Sequence, residues 1–473
     1  MHRIYAISDL HLGGMPHPML GSPKLLADFL RYVARQARAR GETRELVIHG
    51  DFVDFLAERS RTATSASPAT CFDAWTPTQA DALAKLEDVI RSFQDVFAAL
   101  AECVQHLDQL TILLGNHDLE LALPAVRTRF LRELGTSPHR CRFVVDNEAY
   151  RVGDVLIEHG NRYDPWNAID YDGLRREVST ASRGETNPLP MAVCPGSRLV
   201  AEVVSPLKSR YHFIDLLKPE DKVVTLLLLA IEPTLQFDLD LLFRSAASYA
   251  TQWRHAHSFT AARRMGVGAE HGIAGAADGT GVPGSLAAAF PEALVTYEEQ
   301  PIASSVGWIR KFLDDRVESL RVLADKGEEI PEPRMRRLQV ALRHALVGDR
   351  TFDLGESSGP YAAAAARLAT QTGARLVIMG HTHLARAHPV GADGAWYVNT
   401  GTWADVIQCD PALLEDKNLA DFSKWVVALA RNELAGKRAP RPCYADVVLT
   451  DELRLAGPGA LSAAAVLKPW KQE

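Results

Sequence analysis

The chain has 473 residues, 47% hydrophobic and 23% charged, so it can bury a large core and exceeds the usual size of one domain. Its formal net charge of −7 excludes a general basic field of the kind that drives non-specific nucleic-acid binding. Six cysteines without a CxxC pair exclude a zinc knuckle and a dense disulfide framework, and they suit a reducing cytoplasm.

The N-terminus runs from Met1 directly into the apolar segment Ile4 to Ile7, without the basic stretch, apolar core and small-residue cleavage site of a secretion signal. That segment reads as a buried strand delivering Asp9 and His11 to its end. Leu25, Phe29, Val33 and Ala37, with Leu26 and Leu30 alongside, recur at helical spacing, and Gly41 is the expected stop. Arg31, Arg35 and Arg38 on the outer side read as a solvated face.

Leu46-Val47-Ile48 predicts a second strand. A helix is expected to open at Thr76, with Pro77 in its first turn and Gln79 reaching back to the Thr76 amide, and its stripe continues from Leu83 to Leu107. Thr111 to Leu114 and Val155 to Ile157 predict further strands.

Between about Asp172 and Pro360 the strand-then-polar pattern lapses. A helical cap is expected there, with a Gly/Ala-rich mobile loop from Gly266 to Gly284 and helices marked by Val306 to Leu320 and by Met335, Leu338, Leu342 and Leu346. The apolar run Val223 to Ile231, bounded by Lys222 and Glu232, is far short of the roughly 20 residues that span a bilayer. With Leu239, Leu241, Leu242 and Phe243 it reads as a buried cap helix, the rival being an acyl-chain groove or a surface that rests on a membrane. Arg375 to Met379 returns the chain to the core, and strands are expected at Ala395 to Asn399 and Ala445 to Thr450, joined by a partly helical stretch after Pro411. The expected division is a core of residues 1–170 and 366–473 around a cap of residues 171–365.

Five polar clusters occur in order: Asp9-Leu10-His11, Gly50-Asp51 with Asp54, Gly115-Asn116-His117-Asp118, His159-Gly160-Asn161 and Gly380-His381-Thr382-His383. Four of them directly follow a short apolar run. Ligands at neighbouring strand ends converge in space although far apart in sequence. Carboxylate, amide oxygen and imidazole without thiolate suit Mn²⁺, Fe or Zn²⁺. Two such ions about 3.5–4 Å apart can clamp an in-line displacement at phosphorus. Asp51 is the natural bridge, since a carboxylate has two oxygens to share.

This order of clusters resembles the calcineurin-like metallophosphoesterase family, whose pattern is D-x-H, G-D-x-x-D, G-N-H-[DE], a later histidine and G-H-x-H. The resemblance covers about Arg3 to Asp164 and Arg375 to Trp403, and it implies an α/β fold, a four-layer αββα sandwich. It further implies that Asp9, His11, Asp51 and His383 hold one divalent metal ion, and that Asp51, Asn116, His159 and His381 hold the other. His117 would contact the phosphate and protonate the leaving oxygen, with Asp118 orienting the ring and Asp54 accepting hydrogen bonds from behind the ligands. The implied reaction is hydrolysis at phosphorus by a metal-bound hydroxide. Asn161, Arg162 and Asp164 are candidates for substrate contact, and a plain polar loop explains them equally well.

The Asp9-Leu10-His11-Leu12 opening, the His-Gly-Asn cluster and the Gly-His-Thr-His ending look like bacterial UDP-2,3-diacylglucosamine pyrophosphohydrolases, from which the long insertion departs. The expected substrate is a small-molecule or lipid-linked phosphodiester or pyrophosphate. A nuclease would require a basic groove that the acidic balance disfavours. A non-catalytic scaffold would be expected to have lost ligands or the proton donor, and every one is present. Trp403, just beyond a strand, reads as core or as a flank of the site.

Overall fold

The computed structural model describes residues 1–36, 41–61, 71–76, 78–164, 166–185, 187, 189–218, 220–231, 326, 330–346, 359–391, 394–455, 462 and 466–471. The chain divides into two compact units, one of Met1–Val224 with Leu342–Glu473 and one of Thr225–Ala341.

In the first unit, chain order gives strands β1 (His2–Ile7), β2 (Thr43–His49), β3 (Gln109–Leu113), β4 (Cys141–Val144), β5 (Tyr150–Val152), β6 (Val155–Ile157) and β7 (Leu217–Lys218). After the insertion come β8 (Leu376–Met379), β9 (Arg386–Val390), β10 (Ala395–Asn399), β11 (Asp405–Gln408), β12 (Ala439–Pro440), β13 (Cys443–Leu449) and β14 (Leu467–Pro469). They build a mixed six-stranded sheet, β14-β13-β1-β2-β3-β4, and a mixed five-stranded sheet, β5-β6-β8-β10-β9. A small third sheet runs β12-β11-β7.

Period-two alternation decides which residues go where. Ile4, Ala6, Val47, Ala445 and Val447 face the second sheet and pack with Val155, Ile157, Leu376, Ile378 and Val398. Their neighbours Tyr5, Ile7, Leu46 and Ile48 point the other way, into the helices. Behind the second sheet, Leu156, Val377, Met379 and Tyr397 pack on Ala362, Ala365 and Ala369 of the helix Pro360–Thr372. Helix, sheet, sheet, helix is the expected αββα sandwich.

Helices α1 (Pro23–Arg35), α2 (Gln79–Ser92) and α3 (Gln94–His106) cover the first sheet. α1 has Pro23 in its first turn and buries Leu26, Phe29, Leu30 and Val33. It ends at Arg35, short of the expected stop at Gly41, and Ala37 and Arg38 lie outside the described residues.

Thr76 is not the cap of α2. Its amide donates to the buried Glu120 carboxylate at 3.0 Å and its hydroxyl accepts from the buried Lys85 ammonium at 3.0 Å, so tertiary partners have taken both groups. Thr78 caps instead, its hydroxyl accepting from the Asp81 amide at 3.1 Å. Gln79 bonds Ala181 and Ala125 rather than reaching back, and Pro77 lies outside the described residues. The long stripe is two helices, broken at Phe93 (φ −120°, ψ 32°).

The second unit's described residues include parts of the helices Glu220–Ile231 and Glu332–Ala345, where Met335 and Leu338 are buried and Arg334 donates to the Ala230 carbonyl at 3.0 Å. The Gly266 to Gly284 stretch, the Val306 to Leu320 helix and the residues Leu239 to Phe243 fall outside the described residues. Among the described residues no helix is long and apolar enough to cross a membrane.

One buried carboxylate ties strands of the first sheet together. Asp446 on β13 accepts two hydrogen bonds from the Arg3 guanidinium, at 2.8 and 2.9 Å, and one from Lys468 on β14. Burial pushes this carboxyl up, but the bonds from Arg3 and Lys468 outweigh it and hold it below its usual value. A depressed carboxylate adds stability that is present at neutral pH and lost as pH falls through its folded-state value. Asp446→Asn should therefore cost about 1–3 kcal/mol at pH 7. The gap to wild type should close as the pH is lowered past about 4. Chemical denaturation across that range checks it, and a gap independent of pH would show that the charge contributes nothing.

Candidate metal centre

The strand ends converge because β1, β2 and β3 run parallel in register, with Ile7 opposite Ile48 and His49 opposite Leu113, while β6 and β8 run parallel with Ile157 opposite Ile378. Asp9, Asp51 and Asn116 leave one edge of the first sheet. His159, His381 and His383 leave the facing edge of the second.

At these exits the backbone turns sharply. Asp9, His11, Asp51, His381 and His383 all have φ between 47° and 69°, in the left-handed region that non-glycine residues rarely enter. Such strain persists only where the surroundings fix it, and it gathers at functional sites. Here the Asp51 carbonyl accepts the Leu10 and His11 amides at 2.8 and 3.0 Å, and the Asp9 carbonyl accepts the Trp403 amide and the Thr402 hydroxyl at 3.1 and 2.8 Å.

The side chains fall into overlapping groups. Ligand atoms of Asp9, His11, Asp51 and His383 lie within 4.8 Å of one another, and so do those of Asp51, His159 and His381. Asp51 is common to both. Asp54 joins His11 and His117 in a third group. His383 Nε2 stands 3.3 Å from Asp9 Oδ1 and 3.0 Å from His11 Nε2, so imidazole nitrogens and carboxylate oxygens aim at one point.

The donors fit a cation. Asn116 Oδ1 is buried and accepts no hydrogen bond, while its amide nitrogen is fixed by Asn167 at 3.3 Å. His159 gives Nδ1–H to the His49 carbonyl at 2.9 Å, which aims Nε2 at Asp51 Oδ2, 3.2 Å away. An unpaired buried acceptor such as Asn116 Oδ1 is costly unless something positive meets it.

The field is strongly cation-seeking. Burial pushes the Asp51 carboxyl up, but His159 and His117 pull it well below the usual range. Burial likewise disfavours charge on His159, yet Asp51 outweighs it and raises the imidazole to about 9. His383, desolvated and facing Lys218, is pushed down to about 4 and stands neutral as a ligand must.

Two expected roles change. Asp118 does not orient His117: its oxygens accept the Gly115 and Phe52 amides at 2.7 and 2.8 Å and so brace the two ligand loops. The partner of the His117 ring is Asp54, with Nδ1 and Oδ1 2.9 Å apart. Asp54 also lies 3.4 Å from His11 Nδ1. Asn161 is buried and donates its amide to the Asn167 carbonyl at 2.9 Å, whereas Arg162 is 41% exposed. Trp403 is core, packed on Phe29.

Sequence reasoning missed Asn167, Asn399 and Thr400. Asn399 donates to the Gly380 carbonyl at 2.6 Å and the Thr382 hydroxyl at 3.1 Å, clamping the His381 to His383 turn. The signal for Asn399 and Thr400 was the polar run Asn399-Thr400-Gly401-Thr402 directly after an apolar strand, the same grammar as the ligand clusters; Asn167 carried none.

With the sheets around it, this is a donor set of the kind that can hold divalent cations. Residues 2–194 match the calcineurin-like phosphoesterase family model. No curated protein matches the chain. Among solved structures, the phosphopantetheinyl hydrolase PptH of Mycobacterium tuberculosis is similar at 14% identity, over 44% of this chain and 62% of that one, with a TM-score of 0.17, too low to bear on fold or substrate. The chain therefore spans less than two thirds of that protein's length.

Gly115 shows how tight the centre is: a Cβ there would stand 2.1 Å from Asp51 Oδ1. Gly115→Ala should cost about 1–3 kcal/mol. It should also lower metal content per chain, read by elemental analysis beside a thermal melt. Wild-type values in both would show that the Asp51 carboxylate can yield.

Proposed function

We propose that the chain hydrolyses a small-molecule or lipid-linked phosphodiester or pyrophosphate with two divalent cations, Mn²⁺ before Fe or Zn²⁺. The observation that carries this reading is the membership of Asp51 in both ligand groups. Asp9, His11, Asp51 and His383 would hold one ion, and Asp51, Asn116, His159 and His381 the other. When bound, the ions would supply the Lewis acidity that activates water and neutralises phosphoryl oxygens.

The chain's own residues do the rest. Burial disfavours charge on His117, but Asp54 and Asp51 outweigh it and raise the ring to about 10, which keeps a proton available for the departing oxygen. Asp54 fixes the ring through Nδ1 and leaves Nε2 to donate. Asp118 and Asn116 keep their place in the machinery, the first by bracing the loops of Asp51 and His117 and the second as a ligand. Arg162, beside His159 and 41% exposed, leaves its guanidinium open to a substrate anion, and Asn161 lines the same shallow cleft.

The insertion, which we take as a cap over residues 171–365, is the proposed source of substrate choice, with peripheral membrane contact as its way of meeting a lipid-linked substrate. Resemblance to UDP-2,3-diacylglucosamine pyrophosphohydrolases favours a pyrophosphate. A net charge of −7 weighs against a nuclease, and the presence of every donor weighs against a metal-binding scaffold without turnover. All six cysteines are free, which suits a cytoplasmic setting.

Metal-free protein should cleave bis(p-nitrophenyl) phosphate only after Mn²⁺ is added, and faster than p-nitrophenyl phosphate. A preference for the monoester would turn the assignment toward phosphatases, and inertness toward both at full metal loading would favour the scaffold. His117→Ala should lower kcat about 10²–10⁴-fold and keep its metal, whereas Asp51→Ala should lose metal as well. Equal metal loss in the two variants would refute this division of labour.

A further inference from the structure

Beneath the ligands runs a buried chain of side chains that none of the roles above uses. His49 Nε2 meets Thr400 Oγ1 at 3.1 Å, Thr400 Oγ1 meets Ser8 Oγ at 2.8 Å, and Ser8 Oγ meets Asp9 Oδ2. Ser8, His49 and Thr400 are all fully buried. A hydroxyl has a single hydrogen, which fixes the direction of every link.

The Asp9 carboxylate can only accept, so Ser8 spends its hydrogen there. The contact between Ser8 and Thr400 must then use the hydrogen of Thr400. Thr400 has none left for His49, so His49 Nε2 carries the proton. Its Nδ1 makes no hydrogen bond. A bare Nδ1 is therefore the cheaper state, because a second N–H there would be buried unpaired.

The chain ends on a chosen oxygen. Asp9 Oδ2 takes the Ser8 hydroxyl, while Oδ1 faces His383 Nε2 at 3.3 Å. The His381 amide spans both oxygens at 3.0 and 3.1 Å. We propose that His49, Thr400 and Ser8 form a one-way hydrogen-bond chain that positions the Asp9 carboxylate and so sets the affinity for one of the two cations, the one shared by Asp9, His11, Asp51 and His383. The His49 side chain sends nothing to the other group, which it touches only through its carbonyl at His159 Nδ1. Its removal therefore acts on one ion.

This rests on the dinuclear reading above, and wild-type protein tests that reading separately: fewer than two Mn²⁺ per chain in a calorimetric titration would defeat it whatever the variants do. Thr400→Val keeps the shape and removes both the acceptor and the donor. It should bind one Mn²⁺ as wild type does and the other about 10- to 100-fold more weakly. Thr400→Ser, which restores the hydroxyl, and His49→Gln, whose amide can donate from the Nε2 position, should recover most of the affinity. Melts of the metal-free variants separate this from loss of fold. Thr400→Val binding both ions like wild type, weakening both equally, or behaving no worse than Thr400→Ser would overturn the proposal.

Discussion

Everything at this site depends on the left-handed turns at Asp9, His11, Asp51, His381 and His383. A strand that continued straight would carry alternate side chains to opposite faces of its sheet. By reversing the backbone just past the last paired residue, each segment presents its ligand along the strand axis, toward the gap between sheets. Left-handed backbone outside glycine costs about 1–3 kcal/mol per residue. The hydrogen bonds from Trp403, Thr402, Leu10 and His11 to the Asp9 and Asp51 carbonyls offset part of that. A bound cation, satisfying the orphaned oxygen of Asn116, would offset more.

The same centre explains how carboxylates and imidazoles coexist in the dark interior of the sandwich. Left alone, burial drives acids toward neutrality and bases likewise. Interleaving reverses both tendencies: Asp51 stays ionised because His159 and His117 face it, and His117 stays protonated because Asp54 and Asp51 face it. Asp118 has no such imidazole partner to dominate it, and burial beside Asp51 lifts its carboxyl to about 7 even as two backbone amides hold it. Neighbouring acids thus differ in charge state for reasons of position alone.

Much of this could be read from the sequence because the ligand clusters sit at the ends of apolar runs, where a local pattern and a long-range position coincide. The αββα layering was implied by the family resemblance, and the ligand atoms of Asp9, His11, Asp51 and His383, and of Asp51, His159 and His381, lie close together. What escaped was decided by tertiary competition. Thr76 looked like a helix cap, but Glu120 and Lys85 claimed it from afar. Asp118 lies beside His117 in sequence, yet the ring turns to Asp54, 63 residues away. β4, with the half-exposed residues of an edge strand, carries no strong apolar signal. Asn399 and Thr400 act on ligand loops rather than on ligands, and such roles exist only once the two sheets face each other.

The segment that matches the phosphoesterase family ends at residue 194, but β8, which carries His381 and His383, lies between β6 and β10, and β1 lies between β2 and β13. A chain emerging from the ribosome therefore displays five of its seven donors long before the last two exist. During that interval the first sheet lacks its partner on the β1 edge and the second lacks its middle. His381 and His383 can join Asp9, His11, Asp51 and His159 only once β8 has docked between β6 and β10, so the group closes with the arrival of the late strands.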